Sequence, residues 1–353
     1  MTILNLHVEN LRNLAAVTIE PDARLNHLYG SNGAGKTSVL EAISVLSRGR
    51  SFRTPHASEL TGPEERAFRV FAQIRDPGGT EHRIGLERSS SHWRGRIDGS
   101  DVRQLSQLSK LLPLVVLEPD SHLLVSGPPD TRRRFLDWGM FHVERGFLEE
   151  WRAFSRALKQ RNSALRAQHE DVLDSVDDVL ARHGMRLDAM RKAHADQLSG
   201  KIDAALDALK ARIQRVELSY LPGWKGESYA EALVARRSRD LDRGNTGVGP
   251  HRADLGIVCD GVTARTVLSR GEQKALAAAM LVTQAELMKE HGQQPVLLLD
   301  DLASEFDREH FDAVLTHVLS LGGQAWVTGT EKTPLNTPHS VFHVEQGAVQ
   351  ELV

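Results

Sequence analysis

Cys259 is the only cysteine among 353 residues. It leaves no internal disulfide and no thiolate metal cluster to build, which suits a reducing compartment. It follows Gly256-Ile257-Val258 and reads as a small core residue, not a nucleophile. No stretch approaches the roughly 18 apolar residues that a membrane-spanning helix requires. The opening Met1-Thr2-Ile3-Leu4-Asn5-Leu6-His7 has no charged leader and no long apolar run. No signal peptide is expected, no membrane is expected as a partner, and the cytoplasm is the expected compartment. Positive charge is not in surplus either. The net charge is −3, so any nucleic-acid contact must come from local patches. There is no internal repeat and no low-complexity segment. With 40% hydrophobic and 26% charged residues, the composition is that of a globular chain long enough for two or more domains.

Against these absences one segment stands out. Gly30-Ser31-Asn32-Gly33-Ala34-Gly35-Lys36-Thr37 fits the phosphate-loop pattern G-x-x-x-x-G-K-[ST], with Ser38 following. The glycines let the backbone turn tightly enough to aim its N–H groups at a polyphosphate. Lys36 would reach the outer phosphates, and the Thr37 hydroxyl would ligate Mg²⁺. A strand is expected over Arg24 to Tyr29 and a helix over Thr37 to Ser47, which places the loop at a helix N-terminus, a natural anion site. Far downstream, Val296-Leu297-Leu298-Leu299-Asp300-Asp301 ends an apolar run in two carboxylates. A buried parallel strand would deliver both beside the loop. Asp300 would hold Mg²⁺ and Asp301 would polarise an attacking water.

The pattern between these motifs defines the organisation. Residues 1–127 read as α/β, with a strand at Leu114 to Leu117 and an antiparallel meander marked by the Asp76-Pro77-Gly78-Gly79 turn. Residues 128–240 turn polar and helical. Phe147, Leu148, Trp151, Phe154, Leu158 and Leu165 share one stripe, and Val172, Val176, Val179, His183, Leu187 and Met190 share another. This predicts a helical hairpin or short coiled coil, with Gly184 and Gly200 as breaks. Residues 241–353 return to α/β, with a hairpin about Asp260-Gly261 running to Thr266, then helix, strand, helix and strand. The expected fold class is α/β: a nucleotide-binding head built from N- and C-terminal halves, split by a helical arm. Leu268-Ser269-Arg270-Gly271-Glu272-Gln273 opens one of the later helices. Ser269 and Glu272 form a capping box, and the same helix start is a second anion site. Two such cradles in one chain predict a dimer around ATP.

Here the motifs reach a family. Leu268 to Gln273 resembles the signature of ABC-type ATPases, and Ala303-Ser304-Glu305-Phe306-Asp307 resembles their D-loop. The helical insertion is similar to that of the SMC-like branch. Glu9-Asn10-Leu11-Arg12-Asn13-Leu14, Ser51-Phe52-Arg53, the run from Gly127 to Asp137, and Gly249-Pro250-His251-Arg252-Ala253-Asp254 resemble the RecF family almost end to end. The resemblance implies an ATP- and Mg²⁺-dependent homodimer that binds duplex DNA beside single-stranded gaps and, with RecR and RecO, helps load RecA. It also implies that Ser269 and Gly271, with Gln273 beside them, serve the other copy's nucleotide, and that Arg12 and Asn13 lie near the nucleoside. The phosphate loop and signature would equally serve a membrane transporter's ATPase subunit. The long insertion and the RecF-like segments argue against that alternative.

Three positions depart from the wider ABC pattern. Asp301 stands where Glu is usual, Thr328-Gly329-Thr330 where transporters place a histidine, and Glu118 where glutamine is expected. Slow hydrolysis is the expectation, with ATP acting as a switch. DNA contact is expected from Arg132-Arg133-Arg134, from Arg152, Arg156 and Lys159 on one helix face, and from Arg236-Arg237.

Overall fold

The computed structural model describes residues 1–54, 56–62, 65–332 and 337–352. The chain folds into two units. One comprises Met1–Ser121, Ala208–Ala211 and Met288–Val353, and the other His122–Asp207 and Arg212–Leu287.

The first unit holds two six-stranded sheets. The central one runs, edge to edge, Ala348–Leu352, Ser340–Glu345, Leu25–Tyr29, Ala325–Gly329, Val296–Leu299 and Leu114–Leu117. Its pairings are parallel except for the terminal hairpin of the first two strands. Val296–Leu299 and Leu114–Leu117 are buried at every position. Such strands cannot alternate polar and apolar residues, because both faces of a parallel sheet are covered. Helix Lys36–Arg48 is buried along nearly its whole length. Strand Leu25–Tyr29 lies between two strands from the far end of the chain, so the N- and C-terminal parts make one sheet, as expected. The other sheet is an antiparallel meander over Leu14–Ile19, Thr2–Leu11, Ala67–Arg75, Glu81–Ser89, Trp93–Ile97 and Ser100–Val102. In Ala67–Arg75, Phe68, Val70, Ala72 and Ile74 point inward while Arg69 and Phe71 face outward. That is the period-two pattern of a sheet with one wet face.

The second unit is mainly helical, with helices Pro129–Val143, Phe147–Ala167, Leu173–Ser199 and Tyr229–Arg243. Arg270–Glu290 carries the signature segment and lies in this unit through Leu287. A small antiparallel sheet joins Val216–Leu221, Asp254–Cys259 and Val262–Thr263. The unit therefore includes segments that the sequence reading placed after residue 240.

Several local expectations are corrected here. The strand after Asp260-Gly261 lasts only two residues before helix Ala264–Val267 begins. Gly184 does not break its helix: a Cβ there would sit 2.6 Å from the Tyr229 ring, so it is a packing glycine. Helix Tyr229–Arg243 runs three residues past the expected helical stretch of residues 128–240, and Ser228 caps its start by accepting from the Glu231 N–H. The stripe through Val172 and Val179 is misplaced, since both are more than a third exposed. The buried face instead steps through Leu173, Asp177, Leu180, Gly184, Leu187 and Arg191. Two of those are charged, and both are paired. Asp177 accepts from Arg161, and Asp137 accepts from Arg191 at 2.9 Å. Paired charges can be buried where lone ones cannot.

Candidate nucleotide-binding site

Strand Leu25–Tyr29 ends at Gly30, where the chain turns sharply. A Cβ at Gly30 would lie 2.1 Å from the Val344 carbonyl oxygen, so only glycine fits this close approach. Gly35 sits at φ +118 immediately before helix Lys36–Arg48. The loop is held from two sides. The Asn13 side-chain amide donates to the carbonyls of Gly33 (3.2 Å) and Ala34 (3.0 Å), while its oxygen accepts from the Ser38 hydroxyl at 3.0 Å. The Gly347 N–H, in the turn of the C-terminal hairpin, donates to the same Ala34 carbonyl at 2.8 Å. Asn32, Gly33, Gly35, Lys36, Thr37, Ser38, Arg53, Asp301 and Thr328 line a cavity of about 150 Å³.

Lys36 is buried, and its ammonium donates to the carbonyls of Gly30 (2.7 Å) and Ser31 (2.9 Å). Burial lowers its pKa, and Asp301 and Asp300 pull it back up. The Thr37 hydroxyl donates to Asp300 Oδ1 at 2.9 Å. The Thr328 hydroxyl donates to that same oxygen at 2.8 Å and accepts from the Asp301 N–H at 2.8 Å. Burial raises the pKa of Asp300, opposed by the bonds from Thr328 and Thr37 and by the nearby charge of Arg53. Asp301 occupies a left-handed conformation at φ +52, which turns the chain from the strand into helix Leu302–Glu305. Glu118, at the end of the neighbouring strand, is pushed up to about 7 by burial, with Asp120 and Asp300 adding to the shift.

The sequence-predicted group Lys36, Thr37, Asp300 and Asp301 is thus assembled in the first unit. A hydroxyl and a carboxylate oxygen side by side are the hard donors that Mg²⁺ takes, with phosphate oxygens and water completing the set. Thr37 and Asp300 would hold the cation, and Lys36 with the loop N–H groups would hold the phosphates. Arg53 and Thr328 also line the cavity, and no motif in the sequence gives either a role there. The parallel register that pairs Leu299 with Val327 sets Thr328 beside Asp300.

Ser269, Gly271 and Gln273 belong to the second unit, at the start of helix Arg270–Glu290. The capping box is present: the Glu272 N–H donates to the Ser269 hydroxyl at 3.3 Å, and the Ser269 N–H donates to the Glu272 carboxylate at 2.8 Å. Ser269 and Gly271 are exposed, and a Cβ at Gly271 would meet nothing within 4 Å. The Gln273 side chain donates to the Leu268 carbonyl at 2.9 Å, so it braces the turn before the helix.

Arg12 is differently engaged from its neighbour Asn13. Its guanidinium grips the buried Glu41 through two bonds, of 3.0 and 2.8 Å, and donates to the Glu59 carbonyl at 2.7 Å. Glu41 also accepts from Ser51. Among the basic residues, Arg132 is buried, paired with Asp254 and bonded to the Gly127 carbonyl. Arg133 donates to the Ala253 carbonyl, and Arg134 pairs with Asp130 while staying exposed. Arg237 pairs with Asp174 and Asp177, and Arg236 is half-buried beside Gly247. Arg132 is therefore a structural tie, which corrects the expectation that it faces DNA, and Arg237 is engaged within its own unit by two ion pairs. Arg156 and Lys159 do lie exposed on helix Phe147–Ala167.

A phosphate loop closing onto an acidic strand end in a sheet shared by both chain halves defines a phosphate-loop nucleotide-binding head. The comparisons with known proteins make the class narrower. The family model described as the RecF/RecN/SMC N terminal domain matches residues 2–350. The chain is 42% identical to the DNA replication and repair protein RecF of Stenotrophomonas maltophilia (strain R551-3), over 99% of both chains. It is 40% identical to the protein of that name from Xanthomonas axonopodis pv. citri (strain 306), over 99% of this chain and 98% of the relative. A solved structure described as that of the recombination mediator protein RecF-ATP in the RecFOR pathway superposes with a TM-score of 0.91 at 26% identity, covering 100% of this chain and 98% of the other. An Smc head bound to the C-winged helix domain of ScpA shares the fold, with a TM-score of 0.59 at 13% identity over 100% and 97% of the two chains. This chain belongs to the RecF family.

Proposed function

We propose that this protein is an ATP-switched DNA-binding protein of recombinational repair and replication restart. The observation that carries the reading is the Thr37–Asp300 contact at the mouth of a complete phosphate loop, in a chain whose relatives are named for DNA replication and repair. ATP binds with Mg²⁺ between Lys36, Thr37 and Asp300. Ser269 and Gly271 of a second copy complete the site, so ATP drives homodimerisation. The dimer holds duplex DNA beside a single-stranded gap and acts with RecR and RecO to promote RecA loading. The solved RecF structures named for ATP and for the RecFOR pathway support both the nucleotide and the partners. Hydrolysis is slow because Asp301 has one methylene fewer than glutamate with which to reach a water. The match to repair proteins along nearly the whole chain sets aside the transporter-subunit reading.

The test is binding of fluorescent gapped DNA with and without Mg-ATP, for wild type and Lys36→Ala. DNA affinity should rise with Mg-ATP in the wild type only. Equal affinity in all four conditions would overturn the switch.

A further inference from the structure

Thr328 links the two acids of the site through a single hydroxyl. It is 1% exposed, it lines the phosphate-loop cavity, and it stands at the end of the strand between Leu25–Tyr29 and Val296–Leu299. Its hydroxyl has one proton to give and gives it to Asp300 Oδ1, while one of its lone pairs takes the Asp301 N–H. The first bond fixes the carboxylate that also accepts from Thr37. The second fixes the backbone of Asp301 in the left-handed conformation that aims its side chain into the cavity wall. A non-glycine residue at positive φ is held there only when its surroundings over-determine it.

We propose that Thr328 is the positioning residue of this site, coupling the acid that would hold the cation to the acid that would orient the water. Thr328 acts through the carboxylate and the backbone it binds. The inference rests on the ATP-hydrolysing reading above. It implies that turnover depends on the hydroxyl more than nucleotide affinity does, because the phosphate contacts of Lys36 and the loop N–H groups are made without it.

Two variants separate the hydroxyl from its packing. Thr328→Val keeps the shape and loses both bonds, whereas Thr328→Ser keeps the hydroxyl and loses a methyl. In nucleotide-free protein, hydrogen exchange at the Asp301 amide should quicken about tenfold or more in Thr328→Val and stay near wild type in Thr328→Ser. With Mg-ATP, kcat should fall about tenfold or more in Thr328→Val while KM stays within about threefold, and Thr328→Ser should restore kcat. Unchanged kcat or an unchanged Asp301 amide in Thr328→Val would overturn the inference, as would equal losses in both variants. A wild type that neither binds nor hydrolyses Mg-ATP would overturn the underlying reading itself. A wild type that turns over ATP, with a Thr328→Val that matches it, would overturn the role of Thr328 alone.

Discussion

Thr37 and Asp300 stand 263 residues apart in the chain, yet the threonine hydroxyl donates to the carboxylate at 2.9 Å. The pair exists because strand Leu25–Tyr29 and strand Val296–Leu299 flank Ala325–Gly329 in one parallel sheet and end at the same edge. The contact between them is the hard-oxygen part of the proposed cation site. Removing either oxygen should cost the Mg²⁺-dependent share of nucleotide affinity and little else. For Asp300→Asn and Thr37→Val, the Kd for ATP should rise about tenfold or more with Mg²⁺ and change little in EDTA. Isothermal titration in both buffers checks this, and a loss equal in both would place the cation elsewhere.

The C-terminal hairpin turn is a second support of the phosphate loop. Gly347 lies at φ +81, and a Cβ there would come within 2.0 Å of the Asn13 carbonyl oxygen. Gly347→Ala should cost about 2 kcal/mol or more of stability, from strain and close approach together. Asn13→Ala should leave the unfolding midpoint near wild type and weaken ATP binding, because its three bonds shape the loop rather than fill a core. Denaturant melts with and without ATP distinguish the two outcomes. A destabilised Asn13→Ala with unaltered ATP affinity would count against the loop-shaping role.

In the helical unit the fully buried Arg161 joins Asp177 on one helix to Asp240 on another, with the Thr246 hydroxyl as a further acceptor. Arg161→Met leaves the buried Asp240 without its cation and Asp177 with Arg237 alone, and should cost about 3–5 kcal/mol. The triple change Arg161→Met, Asp177→Asn, Asp240→Asn should recover part of that loss. Urea melts followed by circular dichroism report it, and a single variant as stable as wild type would remove the network from the account of this unit.

His27, in the central strand beside the phosphate loop, is 1% exposed, and burial with His339 and Lys332 nearby lowers its pKa to about 4. The unfolded chain binds this proton near pH 6.5. Between those values the unfolded state holds more protons, so stability is complete above about pH 6.5 and falls as pH drops toward 4, by up to about 3 kcal/mol. Unfolding midpoints between pH 8 and 4 should show this acid limb, and His27→Gln should reduce it, leaving the share of His251, whose pKa burial also lowers to about 4. An unaltered limb in the variant would assign it to other groups.

Much of the head was legible in the sequence, because its signals are local and chemically strict. The glycine spacing at Gly30, Gly33 and Gly35, the fully apolar Leu114–Leu117 and Val296–Leu299, and the acids at Asp300 and Asp301 each have one ready physical reading. The helical unit was less legible because it buries charge. A stripe drawn through apolar residues alone passes over Asp177 and Arg191, whose partners Arg161 and Asp137 lie on other helices. The same blindness made Arg132 and Arg237 look like free cations when they are ion-paired. Thr328 was missed for a related reason: its role depends on strand register, which no single segment carries.

In the proposed switch, ATP held at Lys36, Thr37 and Asp300 brings two copies together through the exposed Ser269 and Gly271. The most direct test is molar mass by light scattering, with and without Mg-ATP, for wild type and Ser269→Arg. The wild type should be a monomer without nucleotide and a dimer with Mg-ATP, and the variant a monomer in both conditions. A wild type that stays monomeric with saturating Mg-ATP, or a Ser269→Arg protein that dimerises as well as wild type, would contradict it.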